Sequence, residues 1–194
     1  MIQIISHRGF WTNDEEKNTL EAFQKSFSNG FGIETDIRDL DGRIVISHDV
    51  PHSNSEPVFL KDLLSMAETF MENNKLTIAL NIKSDGLVSL LNHEIENSNV
   101  KGLDIFVFDM SVPDMRDYFR DNYKVFSRVS EVELDPSWYQ CCSGIWLDSF
   151  ETNWFNSALI EKYISDEKKV CIVSSELHGR EYTDLWDIIY PLRG

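Results

Sequence analysis

Short β-rich runs alternate with amphipathic helical stretches along the whole chain, which predicts an α/β domain with a mainly parallel sheet. Two observations carry this. Most of the apolar runs are four to six residues long, the pattern of strands buried on both faces of a sheet. The stretches between them repeat apolar residues every three or four positions, so each helix has one face to bury. With 194 residues, 42% of them hydrophobic and 12% aromatic, the chain can build a real core. The expectation is a single domain over residues 1–194, with no linker, repeat or low-complexity segment.

The elements follow in order. Ile2–His7 is the first strand, and Leu20, Phe23 and Phe27 stripe a helix that Gly30 closes. Gly32–Arg38 is the second strand. Asp39-Leu40-Asp41-Gly42 then turns the chain back into Ile44-Val45-Ile46, a hairpin that interrupts the alternation. Leu60, Leu63, Leu64, Ala67, Phe70 and Met71 stripe the next helix, before a strand over Leu76–Lys83. Leu87, Leu90, Leu91 and Ile95 form another helix face, followed by strand Asp104–Asp109. Ser111-Val112-Pro113-Asp114 reads as a capping box opening a helix through Met115 and Phe119.

Strand Lys124–Arg128 comes next, then Val132–Cys142, a weakly helical stretch interrupted by Pro136. Strand Ile145–Ser149, a helix marked by Leu159, Tyr163 and Ile164, strand Lys169–Ser175 and a helix through Tyr182, Leu185, Trp186 and Ile189 complete the series. Such repeats build either a barrel or an open doubly wound sheet. No G-x-G-x-x-G follows the first strand, which disfavours dinucleotide binding.

Lys and Arg number 18 against 33 Asp and Glu, a net charge of −15 that argues against nucleic acid and anionic membrane surfaces as partners. No apolar run approaches the ~18 residues of a membrane span, and the start lacks the basic segment of a signal peptide. The expected location is cytoplasmic. Cys141, Cys142 and Cys171 form no C-x-x-C and are read as small hydrophobes.

In β/α repeats the active site gathers where strands end. Those ends carry His7-Arg8-Gly9, Glu34-x-Asp36, His48-Asp49 and Asn81-x-Lys83, with Asp109, Arg128, Asp148 and Glu176 on later strands. Glu34 and Asp36 lie two residues apart, so a strand points both carboxylates to one side. There they repel unless a cation joins them, and hard ions such as Mg²⁺ or Ca²⁺ take such oxygens. Arg8 or Lys83 supplies an alternative partner through a plain ion pair. His7 and His48 are suited to one base and one acid at neutral pH. Each also has a purely structural role open to it. Together the set suits metal-assisted transfer at a phosphate ester, with Arg8 and Lys83 holding the anion.

His7-Arg8-Gly9, Asn18-Thr19-x-x-Ala22-Phe23, Gly32-Ile33-Glu34-Thr35-Asp36, Asp41-Gly42-x-x-Val45 and His48-Asp49 resemble, in order and spacing, the glycerophosphodiester phosphodiesterase family, and Asn81-Ile82-Lys83 continues the likeness. The resemblance implies a TIM (β/α) barrel and a place in lipid metabolism. It implies metal-dependent hydrolysis of glycerophosphodiesters, a small phosphodiester being the partner. It makes His7 and His48 the catalytic acid–base pair, Arg8 and Lys83 the substrate-binding cations, and Glu34, Asp36 and Asn81 the ligands of a divalent ion, Mg²⁺ or Ca²⁺. A substrate hydroxyl as first nucleophile, through a cyclic phosphate, also follows from it.

The chain departs from the family in three places. Asn81 stands where a third acidic ligand is usual, and Lys17 where a glutamate precedes Asn-Thr. The amide brings no charge, so cation affinity falls unless Asp109, Asp148 or Glu176 compensates. The segment between His48 and the helix at Leu60 is short, which opens the site. Phe10, Trp11, Trp146 and Trp154 either line the pocket or pack as core and surface.

These departures motivate an alternative: a catalytically weakened or inactive barrel that binds glycerol-phosphate or sugar-phosphate groups. An HD-type phosphohydrolase, suggested by His48-Asp49, is disfavoured because that dipeptide follows a strand. Finally, seven strands are legible where a TIM barrel has eight. The expectation is a short barrel lacking or curtailing its eighth strand, or a chain truncated before its last unit, with an exposed edge that invites either a homodimer or instability.

Overall fold

The computed structural model describes residues 2–52, 56–71 and 76–193. Contacts group into two compact units, Gln3–Tyr123 and a second formed mainly from Lys124 onward. In the first, strands β1 (Ile5–His7), β2 (Gly32–Leu40), β5 (Thr77–Ile82) and β6 (Asp104–Phe108) run parallel, with β2 between β1 and β5. β3 (Arg43–Ile46) returns antiparallel on β2, as the turn at Asp41-Gly42 dictates, and β4 (Val58–Phe59) adds to β3. β4 has no counterpart in the sequence reading, because two residues are too few to show a period. The segment between His48 and Leu60 lies partly outside the described residues, at 53–55.

Helices α1 (Leu20–Ser28), α2 (Leu60–Phe70), α3 (Val88–Glu96) and α4 (Met115–Arg120) complete this unit. α1 starts where Thr19 Oγ1 accepts the Ala22 amide at 3.2 Å, and it buries Ala22, Phe23 and Phe27. Phe27 meets Phe70 of α2 with ring centroids 5.8 Å apart. α4 starts later than its capping box predicts. Ser111 Oγ accepts the Asp114 amide at 3.3 Å, but Asp114 Oδ1 turns to the Gly86 amide at 3.1 Å, so only half the box forms.

The second unit holds parallel strands β7 (Lys124–Val129), β8 (Gly144–Leu147) and β9 (Lys169–Ile172) with helices α5 (Ser157–Ser165) and α6 (Thr183–Ile189). Its core gathers Val129, Ile145, Leu147, Phe155, Ile160 and Leu185. Val132–Cys142, expected to be weakly helical, forms turns and a Ser130–Glu133 bridge instead. Pro136 removes the donor a helix would need there. Among the described residues, no further strand follows β9, so the parallel strands number seven, as read from the sequence. No described helix is long and apolar enough to cross a membrane.

Register decides which face carries the polar residues. In β2 and β5, Ile33 pairs with Ile78, Thr35 with Leu80 and Ile37 with Ile82, while Glu34 pairs with Ala79 and Asp36 with Asn81. His7 of β1 pairs with Glu34, and Asn81 with Phe108 of β6. Register partners point the same way, so His7, Glu34, Asp36 and Asn81 share one face, opposite Ile33, Thr35 and Ile37. Just after β1, Gly9 has φ +89°, and a Cβ there would lie 2.7 Å from Ala22 Cβ. Gly9→Ala is therefore expected to lower stability by roughly 2 kcal/mol or more, read by denaturant unfolding. An unchanged midpoint would refute this close approach.

Candidate active site

The turn after β1 shapes the site. Arg8 takes φ 56°, a left-handed conformation that costs energy for a non-glycine residue. It directs the Arg8 amide at β2, where it donates to the Glu34 carbonyl at 2.9 Å and approaches Glu34 Oε2 at 3.3 Å. The guanidinium Nε of Arg8 then meets Asp36 Oδ2 at 2.9 Å, and Lys83 Nζ lies 3.4 Å from Asp36 Oδ1. The longer distance marks a looser charge contact, and Asp36 Oδ1 is buried with no hydrogen bond. Both carboxylates are buried, whereas Arg8 and Lys83 keep about a fifth of their side chains exposed, 21% and 23%.

Sequence reasoning missed one member of the cluster. Asn18 also adopts a left-handed backbone, φ 60°, and its amide donates to the Arg8 carbonyl at 2.9 Å. Its side chain donates from Nδ2 to Asp36 Oδ2 at 3.1 Å and accepts from Thr35 Oγ1 at 2.9 Å. The signal was the Asn itself before the Thr19 cap, since Asn tolerates this conformation better than most residues.

His7 Nε2 lies 3.8 Å from Glu34 Oε2, an ion-pair distance but too long for a hydrogen bond, and buried Nδ1 has no partner. Burial first, and the Arg8 charge second, push the His7 pKa down from 6.5 to about 4, so the ring is neutral at pH 7. Glu34 moves the other way: burial and then the Asp36 charge hold its carboxyl above the usual carboxylate range.

The His7 shift has a consequence for stability. The folded chain takes up this proton less readily than the unfolded one. The His7 contribution is therefore complete above pH 6.5 and is lost as pH falls towards about 4. Glu34 works in the opposite sense, so the wild type must be compared with His7→Gln. The stability difference between them is expected to move by roughly 2–3 kcal/mol against the wild type over that interval. A pH-independent difference would contradict the shift.

His48 sits apart, in the turn after β3. Its half-exposed ring pairs through Nδ1 with Asp49 Oδ1 at 2.9 Å, and its carbonyl accepts from Arg38 Nε at 3.1 Å. Among the described residues, no hydrogen bond or ion pair joins His48 to the His7–Asp36 cluster. Lys17 pairs with Asp14 at 2.8 Å and lies over the Trp11 ring at 4.2 Å, while Trp11 Nε1 donates to the His7 carbonyl at 2.8 Å. Phe10 packs near Phe31, and Phe106 and Phe108 pair on the face that carries Asn81.

The donor set fits a hard divalent cation in kind. Glu34, Asp36 and Asn81 present oxygen on one face, and Asn81 Oδ1 is buried with no hydrogen-bond partner beside Asp36. Its charge is lean, because two carboxylates and one neutral amide are the whole of it. Among the described residues, no group of three or more His, Cys, Asp or Glu side chains is placed to hold an ion.

Two of the later acids have hydrogen-bond partners of their own. In the second unit, Asp148 Oδ1 receives His178 Nε2 at 2.7 Å and the Ser149 amide at 2.8 Å, and Glu176 receives Ser174 Oγ. Asp109, at the end of β6, takes a left-handed φ of 65°. Trp146 is buried in β8, and Trp154 donates to the Asp148 carbonyl at 2.8 Å.

No protein-family model matches the chain, and no curated protein matches it by sequence. Solved structures do resemble it. A phosphodiesterase from Oleispira antarctica, in complex with the product sn-glycerol-3-phosphate, superposes with a TM-score of 0.70 at 15% identity, over 96% of this chain and 89% of that one. A protein from Galdieria sulphuraria, provisionally named a glycerophosphodiester phosphodiesterase, reaches 0.70 at 14% identity over 89% and 84% of the two chains. The glycerophosphodiester phosphodiesterase of Agrobacterium tumefaciens reaches 0.55 at 17% identity over 89% and 86%. At these identities the likeness is one of fold. The α/β fold expected from the sequence is the fold these structures share.

Proposed function

We propose that the chain is a phosphoric diester hydrolase acting on small glycerophosphodiesters, with a hard divalent cation held by Glu34, Asp36 and Asn81. The observation that carries this reading is the convergence of His7, Arg8 and Lys83, at or just after the ends of β1 and β5, on Glu34 and Asp36 of the strand between them. The fold likeness to a phosphodiesterase in complex with sn-glycerol-3-phosphate supports it.

Arg8 and Lys83 bind the phosphate oxygens, leaving Asp36 as they do so. When bound, the cation supplies further charge stabilisation at a phosphoryl oxygen. His7, kept neutral by burial and still partly exposed at its ring, takes the proton of the attacking hydroxyl. His48, its ring held by Asp49, returns a proton to the leaving alcohol. The first nucleophile is a hydroxyl of the substrate's own glycerol, which makes a cyclic phosphate that water then opens. If single-turnover experiments trap no cyclic species, water attacks directly.

The test is turnover of glycerophosphodiesters and of an aryl phosphodiester with Mg²⁺, Ca²⁺ or Mn²⁺, and with a chelator. Hydrolysis that requires the cation is the expected result. Tight binding of phosphate esters without turnover under every ion would show instead a barrel that only binds glycerol-phosphate or sugar-phosphate groups.

A further inference from the structure

The cluster has an unusual charge arrangement. Asp36, one of the proposed cation ligands, is already neutralised by Arg8 Nε at 2.9 Å and Lys83 Nζ at 3.4 Å. Glu34 is buried on the same face, and Asn81 contributes an oxygen without charge. A divalent ion entering alone would join two cations beside buried carboxylates, a costly excess of positive charge. A phosphate entering alone would draw Arg8 and Lys83 away and face two carboxylates with nothing to balance them.

Entry of both resolves both conflicts. The phosphate takes the two basic side chains, which frees the Asp36 oxygens for the ion, and its own oxygens complete the ion's shell. Two features suit such an exchange. Lys83 holds Asp36 Oδ1 loosely, without a hydrogen bond, and Asn81 Oδ1 is unpartnered at the register position beside it.

Resting on the phosphodiesterase reading above, we propose that cation and phosphate bind this site as a coupled pair, each weakly alone and each tightening the other. Linkage requires the coupling to be reciprocal, and allosteric couplings of this kind reach ~5–150-fold. The phosphate ester takes the place of the charge that a third acidic side chain would have supplied at Asn81.

Titration of the full chain with Mn²⁺, read by its electron paramagnetic resonance, tests this with and without saturating sn-glycerol 3-phosphate. Calorimetry of sn-glycerol 3-phosphate with and without Mn²⁺ gives the reverse arm, and both are corrected for the complex the two form in solution. The expected result is an affinity gain of at least about ten-fold in each arm. Asn81→Asp is expected to bind Mn²⁺ alone more tightly and to shrink the ratio. Equal affinities with and without the second ligand overturn the proposal, as does an undiminished ratio in Asn81→Asp. Coupled binding without turnover would sink the phosphodiesterase reading and leave the coupling standing, and turnover with independent binding would do the reverse.

Discussion

His7→Ala is expected to reduce phosphodiester turnover by about 10²–10⁴-fold, the range lost with a positioned acid or base. The loss should fall on kcat, with KM little changed, because Arg8 and Lys83 remain to hold the phosphate. The turn should survive as well, since the contact of this position with Trp11 runs through its backbone carbonyl. Steady-state kinetics on a glycerophosphodiester make the check. Turnover within a factor of three of wild type would remove His7 from the chemistry.

Asp36→Ala is the substitution expected to do most damage overall. It leaves Arg8 and Lys83 without their buried partner and strands the Asn18 amide. Breaking a fully buried pair costs ~3–5 kcal/mol. Because both cations keep about a fifth of their side chains exposed, 21% and 23%, they can turn to water. A loss of about 2–3 kcal/mol is therefore expected, together with loss of cation binding. Denaturant unfolding and Mn²⁺ titration measure the two separately. Full stability in Asp36→Ala would mean that the ion pairs are not what holds the turn after β1 in place.

Much of this was legible in the sequence, and the particular residues say why. Glu34 and Asp36 could be placed on one face because a strand repeats every two residues, and register with His7 and Asn81 then follows from parallel pairing. The hairpin was legible from Asp41-Gly42. By contrast, Asn18 acts through a left-handed backbone that no periodicity reveals, and β4 is too short to leave a pattern.

Two features lie outside what local pattern can decide. Whether Arg8 and Lys83 pair with Asp36 or wait for a ligand depends on three segments far apart in the chain. The drop in the His7 pKa depends on burial, which only the folded chain creates. The failed helix at Val132–Cys142 shows the reverse case, where Pro136 announced an obstacle and the local chain obeyed it.

The most direct measurement of the central claim is phosphorus NMR of a glycerophosphodiester incubated with the chain and a divalent cation. Conversion of the diester resonance to that of a phosphomonoester, abolished by chelator and by His7→Ala, is the predicted result. A diester resonance that broadens on binding and never converts, whichever ion is supplied, would contradict it.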